Sequence, residues 1–270
     1  MDVRAIRSVA LHVFRESVRD RVPYTLVLFA VLLIAASFLL GQLTAGQDVK
    51  IIKDLGLAAT SIFGLFIAVF IGIGLVSKEV ERRSIYGILT KPVSRPAFIA
   101  GKYAGLVLTL AVNIGIMTAA LYLVLGYLTW LEPAAVRATW SAPGPDPALL
   151  EAVFLIFVEL ALVTAIALFF STFSSPLLSA ALTLGIWIAG RFNTELRNFE
   201  AVVESSAAAW LARGLYHVLP DFSAFDVKLA VVHGLPVSAG YIVMSTAYAV
   251  AYVAALLLAS MVIFARRDLK

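Results

Sequence analysis

The side chains that usually carry chemistry are few in this sequence and poorly placed for it. There is no cysteine, which removes disulfides, thiolate metal sites and cysteine nucleophiles together. The three histidines, His12, His217 and His233, are too far apart to share a zinc motif on one helix. No G-x-x-x-x-G-K-[ST] occurs, so the chain carries no phosphate-binding loop of that kind. No catalytic residue, metal ligand or resident cofactor is therefore assigned.

What remains is one acid in apolar surroundings. Glu159 is the single formal charge well inside a long uncharged run. Counted from Leu149 at ~1.5 Å per residue it lies about 15 Å deep, where a lone charge costs ~3 kcal/mol or more. It must face protein or water. Asn113, eleven residues beyond Lys102, falls at a similar depth and is the expected hydrogen-bond partner. Two roles stay open for Glu159: a protonated bridge between helices, or a place on a substrate path or conformational latch. One carboxylate does not make an active site, which disfavours an intramembrane enzyme.

The elements that must position these residues are membrane helices. The chain has 270 residues, 61% hydrophobic and 14% charged, against roughly 25% charged in an average soluble domain. A span needs about 20 mostly apolar residues. The 26 residues between Arg21 and Asp48, the 23 between Asp54 and Lys78 and the 29 between Lys102 and Glu132 each supply one. The stretch from Leu149 to Gly190 is long enough for two, folded at STFSSP, residues 171–176. The last follows a Gly-Leu-Pro break at 234–236. The expected fold is an all-α polytopic membrane protein with six spans, at about 24–43, 55–77, 103–128, 149–170, 175–190 and 238–264. No A-x-A-like site follows the first apolar run before Asp48, so that run reads as a retained span and not a cleavable leader.

Fourteen of the 21 Lys and Arg fall in the N-terminal segment, the loop between spans two and three, and the C-terminal tail. That asymmetry predicts both termini in the cytoplasm. It also explains a pI near 9.4 without nucleic acid. Residues 1–22 read as an amphipathic helix, with Val3, Ile6, Val9, Ala10, Val13 and Phe14 on one face and Arg4, Arg7, Arg15 and Arg19 on the other. Such a helix anchors to membrane lipid and can touch a cytoplasmic partner. Residues 192–237 form the largest outer segment, with Leu196, Phe199, Val203, Trp210 and Leu211 at helical spacing. It is expected as an amphipathic helix on the outer surface, serving either as a structural lid or rim over the bundle or as a substrate-gating element or a dock for an outer partner.

The least generic stretch is KEVERRSIYGILTKPVSRPAFIAGKYAG, residues 78–105. Solvated charges explain Glu79, Glu81, Arg82 and Arg83, but not Ile85, Ile88 and Leu89, whose helical spacing suits a protein groove. The pattern E-x-E-R-x-S-I-x-x-I-L-T-x-P-V-S-R-x-x-F-I-x-G-K, Glu79 to Lys102, resembles the loop of ABC-2 type transporter permeases. The N-terminal elbow, six-span layout, S-x-x-S-S-P hairpin and basic tail extend that resemblance over the chain, and the small permeases of the copper-enzyme maturation type are the nearest in kind.

The resemblance implies a non-catalytic transmembrane subunit in the cytoplasmic (inner) membrane, exporting or flipping a substrate. ATP and Mg would be used by a separate cytoplasmic ATPase subunit. Residues 78–102 would form the coupling loop, with 84–90 as its helix. In this reading Glu79, Glu81 and Arg83 pair with charges on the ATPase or the elbow, Ile85, Ile88 and Leu89 fill its cleft, and Arg95 with Lys102 holds the return strand at the headgroups. A second permease copy, most simply in a homodimer, is implied, and an outer accessory protein is left open. The alternative is an ATP-driven scaffold or assembly factor that moves an outer partner without passing a solute.

Overall fold

A computed structural model describes residues 3–42, 48–81, 94–140, 142–192 and 219–266, with side chains up to Ile73 in the second stretch and Phe264 in the last. Helices account for the architecture: α1 (Val3–Arg19), α2 (Arg21–Gln42), α3 (Asp48–Glu81), α4 (Arg95–Leu131), α5 (Ala134–Arg137), α6 (Ala148–Ser171), α7 (Pro176–Arg191), α8 (Lys228–Val232) and α9 (Ala239–Arg266). A 3-10 turn, Ser223–Phe225, precedes α8. Among the described residues there is no strand. The helices α2, α4, α6 and α9, and Asp48–Ile73 of α3, are each long and apolar enough to cross a membrane; α7 is a shorter apolar helix. Its 16 residues rise about 24 Å against ~30 Å of hydrocarbon. It is therefore short for a full crossing.

Local sequence sets the breaks. Pro96 and Pro176 sit in the first turns of α4 and α7, after the extended Ser94 and Ser175. There the missing N–H is one that no helix could use. The turn between α6 and α7 is drawn together by Ser174 Oγ and Ser179 Oγ, 2.7 Å apart. Between α8 and α9, Gly234 takes φ 70°, a left-handed geometry that favours glycine.

The centre of the bundle is the α3–α6 pair, the two most buried spans. Helix α3 can approach α6 because a Cβ at Gly64 would stand 2.5 Å from Leu160 Cδ1, and one at Gly72 2.7 Å from Ala167 Cβ. Helix α1 packs along the start of α4 in the same way. A Cβ at Gly101 would meet Val9 Cβ at 2.7 Å and the Ile6 carbonyl at 2.9 Å, and one at Gly105 the Ala10 carbonyl at 2.6 Å. The apolar face read from the sequence thus lies partly on span three, with Val13 buried and the four arginines exposed.

Three expectations change. The helix that carries span two begins at Asp48 and not near 55, which carries Lys53 into the bundle with no exposed surface. The return segment 95–102 is the first two turns of α4 and not a strand. The described part of the outer segment is not a surface rim: Leu219, Phe222, Phe225, Val227, Val231 and Val232 are buried. The Asp221 amide bonds to the hydroxyl of Tyr248, the tenth residue of α9, about 14 Å along that helix at ~1.5 Å per residue. Apolar side chains in a short linker gain more by burial than by lying at the interface. Residues 193–218, which hold the expected amphipathic helix, lie outside the described residues.

The glycine seat of α1 is testable by limited trypsin digestion at the N-terminal arginines. Gly105→Val is expected to accelerate cleavage about tenfold, equivalent to ~1.4 kcal/mol of lost local stability. Gly115→Ala on the same helix, where an added Cβ meets nothing within 4 Å, is expected to leave the rate unchanged.

Candidate functional site

Glu159 sits twelve residues into the 24-residue α6 and is 1% exposed. Its carboxylate accepts hydrogen bonds from Trp187 Nε1 at 2.8 Å and from one Arg191 Nη at 2.8 and 3.1 Å. The other Arg191 Nη donates to Asp226 Oδ2 at 2.7 Å, and Lys228 Nζ lies 3.7 Å from the same oxygen. Two acids and two bases from α6, α7 and the 219–232 segment thus form one cluster with no net formal charge. Charge-assisted hydrogen bonds of this kind are about twice as strong as neutral ones and directional. Trp187 and Arg191 share a face of α7 four residues apart, and the guanidinium carbon lies 5.2 Å from the indole centroid.

The sequence expectation for Glu159 changes in one respect: its partner is Arg191, not Asn113. Asn113 is buried on α4 and donates to the Thr109 carbonyl of its own helix at 2.9 Å. Similar depth on two helices does not fix which faces point at each other. A signal for Arg191 was nonetheless present. About the STFSSP turn, Glu159 lies nearly as far before the bend as residues 187–191 lie after it, so an α6–α7 hairpin brings these positions level.

The 219–232 segment is seated against this cluster. The Phe222 amide donates to the Gly190 carbonyl at 3.1 Å, and a Cβ at Gly190 would stand 2.3 Å from the Pro220 carbonyl. Phe222 and Phe225 are buried, and Phe225 lies 6.3 Å from the Tyr248 ring. No side chain larger than glycine at 190 leaves room for this backbone.

A second ion pair, unread in the sequence, lies toward the start of α3. Lys53 Nζ is 3.4 Å from Asp146 Oδ2. Asp146 also accepts the Ala148 amide on Oδ1 at 3.0 Å, and its carbonyl accepts Tyr122 Oη at 2.7 Å. One aspartate thereby ties α3, α4 and the start of α6.

Of the proposed coupling residues, Glu79 and Glu81 lie on α3 beyond the described side chains, and Arg83, Ile85, Ile88 and Leu89 fall outside the described residues. Arg95 opens α4 and donates from Nη1 to the Phe264 carbonyl of α9 at 3.4 Å. Lys102 is buried, its Nζ 5.0 Å from the Phe98 ring centroid. Among the described residues no group of three His, Asp or Glu side chains could hold a metal.

Residues 7–269 match the model of a protein family described as ABC-2 family transporter protein. Comparison with curated proteins found no match.

Removing one partner of a buried ion pair typically costs 3–5 kcal/mol, and Arg191, 19% exposed, retains Asp226. Glu159→Gln is therefore expected to cost about 2–3 kcal/mol, read as a fall in the aggregation temperature of the detergent-solubilised protein. Asn113→Ala, which loses only a bond within its helix, is expected to cost less than about 1 kcal/mol.

Proposed function

The chain belongs to the ABC-2 transporter family and is the integral membrane permease of an ABC transporter. From that premise we propose that it couples ATP hydrolysis on a separate cytoplasmic ATPase subunit to export or flipping of a substrate across the inner membrane. The observation that carries this reading is α4. This uninterrupted helix of 37 residues, about 55 Å long, starts within the proposed coupling loop, shortly after its helix 84–90, and runs to Leu131. Its first turns also hold α1 through Gly101 and Gly105, and the carbonyl end of α9 through Arg95. A push on 84–90 would therefore displace α1, α4 and α9 together.

Both termini are assigned to the cytoplasm by the clustering of Lys and Arg, and the elbow arginines face anionic lipid. Two copies of the chain form the working unit. Glu159 and its partners are the conformational latch of each copy, and the protein's contribution is a two-state path biased by its partner. A second reading, a scaffold that moves an outer protein, draws on the deep seating of residues 219–232, through which an outer partner would be pulled.

The test is purification of the tagged chain from its native host in mild detergent, beside Glu81→Ala and Arg83→Glu. A nucleotide-hydrolysing subunit is expected to co-elute with the unaltered chain and to be lost or uncoupled in the variants. Elution without any ATPase under conditions that preserve complexes would overturn the coupling assignment.

A further inference from the structure

Two tyrosines of α4 tie it to α6 at separate levels. Tyr103 Oη donates to the Ala161 carbonyl at 3.2 Å, and Tyr122 Oη to the carbonyl of Asp146, just before α6, at 2.7 Å. Between these fastenings lies a groove of about 530 Å³. Its α4 wall carries Ala111, Gly115 and Ala119, each four residues from the next and therefore on one face; Leu150, Phe154 and Phe157 line the α6 wall. At Gly64 and Gly72 the room left by a missing side chain is taken up by α6. Among the described residues, a Cβ at Gly115 would meet nothing within 4 Å.

The chemistry and dimensions of the groove select its occupant. Its lining is almost wholly apolar, and both of its hydroxyl protons are committed within the protein, Tyr122 to Asp146 and Thr118 Oγ1 to the Ile114 carbonyl at 2.8 Å. An ordered water needs several polar partners, so neither water nor a polar solute is held there. From Ala111 to Tyr122 the groove runs about 16 Å at ~1.5 Å per residue. On α6 it reaches from Leu150, the third residue of that helix, to Phe157, the tenth. That is the depth of one leaflet, half of ~30 Å of hydrocarbon. Spread over this length, 530 Å³ gives a mean cross-section of roughly 30 Å², against ~80 Å² for a helix 10 Å across. The space suits a slender chain and not a helix of a second protein.

We propose that the α4–α6 groove holds one acyl chain of a bilayer phospholipid, drawn from the leaflet on the Ala148 side. The site goes beyond the coupling reading and does not rest on it. The headgroup lies at the surface where α6 begins, and the tail reaches the level of Phe157, two residues short of Glu159. A chain seated there packs against Phe154 and Phe157 on one side and the small residues of α4 on the other. It supplies the dispersion contacts that an uncovered wall forfeits.

The test is photo-crosslinking in phosphatidylcholine nanodiscs doped with phosphatidylcholine that carries a diazirine midway along one acyl chain. Cross-linked peptides are quantified by mass spectrometry. The reference is the yield at Leu33 and Leu40 of α2 and at Met244 and Val250 of α9, exposed residues in the same half of the bundle. A chain held on several sides gains contacts that one sliding along a flat face lacks, so the groove is expected to label at least about fivefold more strongly. Gly115→Leu fills the groove and is expected to lower its yield to the reference, with the reference unchanged. Ala119→Leu stands in if Gly115→Leu is not monodisperse. Equal yields at groove and reference would mean lipid contact without a site, and a groove yield below the reference would mean that protein covers it; either overturns the proposal. So would a high groove yield that survives filling. Crosslinking needs no ATPase, so neither this result nor the co-elution result decides the other.

Discussion

In hydrocarbon a formal charge cannot borrow water, so every ion inside the bundle must bring its counter-ion with it. Glu159 meets that requirement by drawing Arg191, Trp187 and, through Arg191, Asp226 into contact. The consequence reaches beyond the pair. Helix α7 ends where its terminal arginine reaches the middle of α6, and Asp226 of the 219–232 segment takes the other half of the guanidinium. Lys53 and Asp146 meet the same demand elsewhere, and there the result is a clasp across α3, α4 and α6.

Close backbone approach is the second organising factor, because membrane helices gain little from apolar burial against one another and depend on packing. Glycines on α3 admit α6, and glycines on α4 admit α1. These contacts make α3 with α6 a fixed centre and seat α1 along the start of α4. The 219–232 segment is seated by a close backbone approach too, at Gly190 of α7. It is held by burial of its apolar and aromatic residues against α3 and α6, by hydrogen bonds to α9, and by a backbone bond and an ion pair to α7.

The sequence by itself determined the class of the protein and the approximate course of its spans. Hydrocarbon thickness converts uncharged runs into helices almost without ambiguity, and prolines and serines mark their ends. The same arithmetic found Glu159, because an acid in such a run is conspicuous whatever surrounds it. It also gave the elbow helix an apolar face, and it singled out the loop whose pattern carries the family resemblance.

Which residues pair was settled by packing between helices. Asn113 and Glu159 share a depth but not a facing surface, whereas Arg191, 32 residues away in sequence, is level with Glu159 once α6 and α7 close as a hairpin. Lys53 and Asp226 read as loop charges, since sequence hydropathy counts a charge as a reason to leave the membrane and cannot see a counter-ion arriving from another element. The pairing is long-range, set by helix rotation and by how far a linker can fold back. Those quantities depend on packing of the whole bundle, which no local window of sequence contains.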